Sequence, residues 1–281
     1  MALIDPVTAT VVRVPLGYVN AYLVGNSTAW VLVDTGERTH AGRIRAAARS
    51  IAGDRPPQAI VLTHGHFDHA GSAAELSRYW SVPIYASRYE LPFLQGDAAY
   101  PPPDPSVGGF YGWLAHFVTM PVCDLQADVR ALPADLAAVG LDGWTCVATP
   151  GHTPGHLSFF HLEQGVLLAG DACLTIDFQS WIGSLTSWQR VSAPPAPYTL
   201  DWAAAHKSVQ ALAMLRPQII ASGHGKPMRG ARAARGLAQL AQRFTPPKRG
   251  RWVGNPLLWP TPRPGDTPCT QPYSVSERYW H

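Results

Sequence analysis

Six consecutive residues constrain this chain more than any other feature: His64-Gly65-His66-Phe67-Asp68-His69. Three imidazoles and one carboxylate fall in one short loop, directly after the apolar run Ala59–Leu62. Imidazole nitrogen and carboxylate oxygen suit Zn²⁺ and similar borderline ions. A tight loop after a strand turns alternate side chains in different directions. His64 and His66, two apart, are therefore expected to converge on one ion, and Asp68 and His69 to reach a second. A solvated His-rich loop is the competing reading.

Three further residues bring the ligand count to what two ions require. His152 lies in the Gly/Pro-pinned stretch Thr149–His156, Asp171 ends the run VLLAGD, and His224 sits in SGHG after QIIA. Each is placed where a predicted strand gives way to a loop, a position from which a rigid scaffold presents functional groups. Taken singly, each is a weak candidate; their placement after strands, together with the first cluster, carries the assignment. His40, His116, His161, His206 and His281 lack such context and read as ordinary, and His156 reads as a supporting residue.

Composition removes several classes. With 46% apolar residues among 281, the chain is not disordered. Its formal charge of +3 does not mark a strongly basic nucleic-acid binder. No run of 18 apolar residues appears, so no spanning helix is expected. The opening residues lack a basic stretch followed by an apolar one, so no signal peptide is expected and the expected location is the cytoplasm. Cys123, Cys146, Cys173 and Cys269 form no CxxC pair, and their spacing suggests neither a zinc knuckle nor a disulfide framework.

The pattern along the chain alternates strands and helices. Val7–Val14, Ala21–Val24, Ala29–Asp34 and Ala59–Leu62 read as strands, and Arg43–Ile51 and Gly71–Trp80 as helices. The second half repeats this with strands Trp144–Ala148, Leu157–Leu162, Val166–Ala169 and Gln218–Ala221, and helices Asp201–Leu215 and Arg229–Phe244. The expectation is an α/β protein with sheets inside and helices outside, in two similar halves. Segments 92–122, 176–200 and 245–281 resist this reading. They hold 17 of the 27 prolines, so the unusual composition belongs to them, as long loops and a Pro/Trp-rich tail. A catalytic domain over 1–245 and a tail over 246–281 are the expected divisions.

In the order and spacing of these motifs the chain resembles the metallo-β-lactamase superfamily. The resemblance rests on His64 to His69, on Val33-Asp34-Thr35-Gly36 before it, and on Pro150-Gly151-His152-Thr153, Gly170-Asp171 and Gly223-His224-Gly225 after it. It spans about residues 15–228. It implies a four-layer αββα sandwich with metals at one edge of two sheets. It implies one ion on His64, His66 and His152, another on Asp68, His69 and His224, and Asp171 bridging both. Two Zn²⁺ ions are the first expectation, with Fe or Mn as alternatives. Asp34 is implied to hold the metal loop rather than to ligate.

Asp171 points to the branch that resembles glyoxalase II and the lactonases; zinc β-lactamases usually place a Cys at the bridge or lack it. Cys173 is the minor alternative ligand. His66 argues against redox relatives, which carry Glu there. Leu174 stands where many acyl-homoserine lactonases carry Tyr, and neither a glutathione-binding set nor the extra motif of tRNA-processing nucleases can be matched.

The implied chemistry is hydrolysis by a metal-bridging hydroxide, with Asp68 as the catalytic carboxylate that orients the nucleophile or relays a proton. As pocket walls, the aromatic, weakly charged segments (Tyr100, Phe110, Tyr111 and Trp113; Phe178, Trp181, Trp188 and Tyr198) suit a small-molecule carboxylic ester, lactone or thioester with an apolar acyl group; packing of the loops themselves or of a subunit interface is the competing reading. They suit nucleic acid poorly, and no membrane partner is expected. A phosphodiesterase or nuclease, and a metal-bound binding protein, are the alternatives. The tail is expected to wrap along the body or to join copies of the chain in a homo-oligomer, with a disordered end as the competing reading.

Overall fold

Parallel strands stand side by side in each half of the chain, and this pairing positions the candidate residues. A computed structural model describes residues 3–121, 123, 125, 128–177 and 189–259. The chain divides into two units, one of residues 1–100 with 121–144 and the other of residues 101–120 with 145–281.

The first unit is built on a seven-stranded sheet whose strands lie in chain order. These are β1 (Asp5–Pro6), β2 (Val11–Leu16), β3 (Val19–Gly25), β4 (Trp30–Val33), β5 (Ile60–Val61), β6 (Ile84–Ala86) and β7 (Val129–Ala131). β1 to β4 form an antiparallel meander, and β4 to β7 run parallel. Parallel neighbours need crossovers. Those here carry α1 (Ala41–Ala52), then α2 (Phe67–Ala70) with α3 (Ala73–Trp80), then α4 (Leu91–Leu94). α1 buries Ala41, Ile44, Ala47 and Ala48, one face at helical spacing. That face joins Leu32, Ile60, Leu76 and Ile84 in one apolar core. Parallel pairing sets the C-terminal ends of β4, β5 and β6 next to one another, with Leu32 opposite Ile60 and Ile60 opposite Ile84. The loops leaving these three ends begin with Asp34, with Thr63-His64, and with Ser87 leading to Glu90.

The second unit repeats the device. Its five-stranded sheet has the order β14-β13-β10-β9-β8, from β8 (Trp144–Ala148), β9 (Leu157–His161), β10 (Val166–Gly170), β13 (Ile219–Ser222) and β14 (Met228–Arg229). β11 (Leu174–Ile176) and β12 (Gln189–Ser192) form a separate antiparallel pair. The helices are α5 (Gly109–Leu114), α6 (Trp202–Met214) and α7 (Gly230–Arg243). The Asp201 carboxylate caps α6 by accepting a 2.9 Å bond from the Ala204 amide. Leu167, Val209, Leu212, Ile220 and Leu237 form the core. β10 and β13 are parallel, with Gly170 opposite Ser222. Asp171 and Gly223-His224 therefore leave adjacent strand ends.

Departures from the sequence reading have local causes. The first long strand begins at Val11 rather than Val7, because the Thr8 hydroxyl accepts bonds from the Thr10 and Val11 amides and turns the chain there. β6, β7, β11 and β12 are three or four residues long and leave no periodic signal. Segment 92–122 holds the end of α4 and all of α5. Phe178, Trp181, Trp188 and residues 260–281 lie outside the described residues. The stretch before them is held to its own unit: the Arg251 amide donates to Asp104 and the Leu257 amide to the Leu200 carbonyl. Among the described residues, no helix is long and apolar enough to cross a membrane.

Candidate metal centre

In the first unit, the strand end at Val61 releases Thr63 and His64 beside the end of β4. Asp34, with φ of +60°, occupies the left-handed region that Asp tolerates better than most residues. Its carboxylate accepts from the Thr63 amide at 2.8 Å and from the Thr63 hydroxyl at 2.9 Å. It also accepts from Nδ1 of His69 at 2.8 Å. These bonds fix two tautomers. His69 donates through Nδ1, so its Nε2 carries the lone pair. The Thr63 hydroxyl spends its proton on Asp34, so it accepts from Nδ1 of His64 at 3.0 Å, and His64 Nε2 also carries a lone pair.

That His64 Nε2 lies 3.1 Å from His66 Nδ1. The His64 and His69 rings are 4.2 Å apart between centroids. All three imidazoles are buried. Asp68, in the first turn of α2, places its Oδ2 3.9 Å from His69 Nε2. The first unit thus brings together all four residues predicted from its motif.

The second unit brings together the other three. Asp171 Oδ2 lies 3.1 Å from His224 Nε2 and 3.6 Å from His152 Nε2, and all three residues are buried. Gly151, with φ of +131°, lets the His152 loop press on α6; a Cβ there would sit 2.3 Å from the Ala205 amide nitrogen. The Gly151 carbonyl accepts from the Leu200 and Asp201 amides, which ties this loop to the start of α6.

The sequence marks His156 as a supporting residue without showing what it supports. Its Nε2 accepts from the Asp171 backbone amide at 2.9 Å. The proton is then on Nδ1, which donates to the Thr149 hydroxyl at 2.8 Å. Thr149 passes its proton to Ser158 at 3.0 Å, and Ser158 donates to the Ala169 carbonyl at 3.0 Å. Four buried groups are satisfied in a single direction, and Asp171 is held by its main chain.

The donor set fits divalent cations in both units. Imidazole nitrogens and carboxylate oxygens are the donors such ions take, and in the first unit the His64 and His69 rings are oriented by partners on their far sides. Cys173 does not join the set. Its side chain is fully buried in the second unit's apolar core, and burial, with the nearby Asp171 charge, pushes its thiol up to about 12. Sequence reasoning missed Glu90, a fully buried carboxylate that accepts from the Gly65 amide at 2.8 Å. Tyr100, read from sequence as a candidate for the pocket wall, donates its hydroxyl to Glu90.

Residues 14–224 match the metallo-beta-lactamase superfamily. The chain belongs to this superfamily. Among its relatives, the probable metallo-hydrolase YflN of Bacillus subtilis is 39% identical over 219 residues, covering 77% of this chain and 83% of its own. The hydroxyacylglutathione hydrolase GloC of Haemophilus influenzae is 31% identical over 126 residues, covering 44% and 51%. Among solved structures, a B3 metallo-beta-lactamase with an active-site glutamic acid shares the fold (TM-score 0.58, 22% identity, 87% and 89% covered). So does TTHA1623 in a di-iron-bound form (TM-score 0.52, 26% identity, 83% and 99% covered). This superfamily member is a metal-dependent hydrolase with the metallo-β-lactamase fold.

Proposed function

We propose that this protein hydrolyses carboxylic esters, lactones or thioesters of apolar acyl groups at a dinuclear centre. His64, His66 and His152 are assigned to one ion, Asp68, His69 and His224 to the other, and Asp171 to both. One observation carries the two-ion reading: a single Asp171 oxygen faces two imidazole nitrogens, at 3.1 and 3.6 Å. A carboxylate so flanked is suited to serve two cations at once. Zn²⁺ is the first candidate, and the di-iron form of a related protein supports iron as the second.

Bound ions of this kind lower the pKa of water and polarise a carbonyl oxygen. The chain's own residues supply orientation and proton handling. Asp34 and Thr63 hold His69 and His64 in their ligating tautomers, and His156 holds Asp171. Asp68 is the carboxylate of the motif; it is half-buried, with its Oδ2 3.9 Å from His69 Nε2. It is assigned the transfer of a proton to the leaving group.

The acyl preference is supported by aromatics on the second unit. Tyr111 packs on Tyr198 at 5.9 Å, two residues before the strand of backbone bonded to Gly151. Phe110, Trp113 and Phe117 lie on the same segment as Tyr111, with exposed faces. Such surfaces favour apolar, ring-bearing or acyl groups. The likeness to a hydroxyacylglutathione hydrolase supports including thioesters.

The test is a panel of chromogenic ester, lactone, thioester, β-lactam and bis-phosphate substrates, run on protein of measured metal content. Turnover of the first three, lost on chelation and restored by metal, is the expected result. Turnover of the bis-phosphate alone overturns the substrate reading, and full activity in metal-free protein overturns the mechanism.

A further inference from the structure

In the first unit, a buried carboxylate and a buried phenol grip the backbone of the metal loop. Glu90 stands at the N-terminal end of α4, yet its side chain makes no capping bond to that helix. It reaches instead to the Gly65 amide, between His64 and His66, at 2.8 Å. The same oxygen accepts the Tyr100 hydroxyl. Tyr100 stacks on Phe93 with ring centroids 4.1 Å apart and planes within 6°. Its ring edge also meets the His66 imidazole at 4.6 Å. The fit leaves no slack: a Cβ on Gly65 would lie 2.8 Å from the Tyr100 oxygen and 3.1 Å from Leu94.

Placing a carboxylate at zero exposure costs several kcal/mol unless its oxygens are satisfied. Here that cost is offset on the loop itself, at the one residue that separates two candidate ligands. Burial, with the Glu90 charge beside it, raises the Tyr100 phenol well above its ordinary range, so it stays a donor.

We propose that Glu90 and Tyr100 are positioning residues for the metal centre. Glu90 fixes the Gly65 peptide and hence the spacing of His64 and His66, while Tyr100 locks Glu90 by its hydroxyl and His66 by its ring. This rests on the assignment of His64 and His66 as ligands. Partners that orient ligands in this way typically contribute about 10- to 100-fold in metal affinity.

The experiment is Co²⁺ binding to the full chain, by chelator competition and visible absorption, with the melting temperature of the metal-free protein measured in parallel. Tyr100→Phe keeps the stacking and loses only the hydroxyl. It is expected to weaken Co²⁺ binding about tenfold and shift the absorption bands, with the metal-free protein still folded and its melting temperature lowered only by the lost bond to Glu90. Glu90→Ala is expected to lose about 100-fold, and Glu90→Gln, which keeps an acceptor for Gly65, to recover part of it. If Glu90→Ala does not fold, Tyr100→Phe and Glu90→Gln decide. Wild-type affinity and spectrum in both overturn the proposal. Wild-type protein that binds Co²⁺ and hydrolyses esters beside unaltered variants overturns the clamp alone. Weakened variants of a protein that turns over no ester, lactone or thioester sustain the clamp and overturn the substrate reading. Wild-type protein that takes up no Co²⁺ overturns both.

Discussion

The Asp34 carboxylate and the His69 imidazole are joined by a 2.8 Å hydrogen bond at Nδ1, with both residues buried. That bond decides which nitrogen of His69 is left to ligate. It is possible because β4 and β5 are parallel neighbours, so Asp34 and the loop of His69 issue from adjacent strand ends.

Replacing Asp34 should therefore weaken the metal centre without touching a ligand. Asp34→Ala removes the acceptor for His69 and leaves the buried Thr63 amide unpaired. A loss of about 10- to 100-fold in metal affinity is expected. Asp34→Asn tolerates the positive φ and keeps one acceptor oxygen, so its loss should be smaller. Metal titration of both proteins checks the order; equal affinity in Asp34→Ala and wild type would remove Asp34 from its role.

His156 offers a second test through main chain rather than side chain. His156→Ala strips the buried Asp171 amide of its acceptor and breaks the run from Thr149 through Ser158. Leaving a buried amide unsatisfied costs about 1–3 kcal/mol. Urea unfolding should show that loss, with kcat falling more than KM rises, because Asp171 is displaced rather than the substrate surface. An unchanged kcat would show that the Asp171 backbone does not need this anchor.

The ligands were legible in the sequence because metal chemistry demands particular side chains at short spacing, and His64 to His69 meet that demand without tertiary information. Asp34 was legible only through family resemblance, since a strand-ending Asp is otherwise ambiguous. Glu90 was not legible at all. It follows β6, a three-residue strand with no periodic signal, and it meets Gly65 only through parallel register across the sheet. His156 was legible as a supporting residue, but what it supports was not, because that depends on which atom lies opposite its Nε2.

Cys173 and Asp171 sit two residues apart and should respond oppositely to substitution. Cys173→Ala removes a fully buried side chain from the apolar core, at a stability cost on the order of 1 kcal/mol. Metal content and turnover should stay at wild-type levels. Asp171→Ala and, in the other unit, His66→Ala should each lower turnover by more than ~100-fold, beyond the span expected for supporting partners. Elemental analysis beside the ester assay separates these outcomes. Loss of metal in Cys173→Ala would bring the thiol back into the ligand set.

His40 gives a pH dependence whose sign follows from structure. It lies directly before α1, and its Nδ1 accepts from the Glu37 amide at 3.0 Å, which requires the neutral ring. Partial burial lowers its pKa below the usual 6.5; the nearby Glu37 charge opposes this, and Arg43 adds to it. A group with a depressed folded-state pKa that is neutral when deprotonated binds fewer protons folded than unfolded. Its contribution to stability is therefore complete above 6.5 and is lost as pH falls through the lower folded value. Wild type and His40→Gln, compared by urea unfolding from pH 7.5 down to 5, isolate this group, because the other histidines titrate in both. The stability advantage of wild type should be flat above the unfolded value and shrink below it. An advantage that grows on acidification would mean that the charged ring is the favoured form, and that the bond from Glu37 does not set the start of α1.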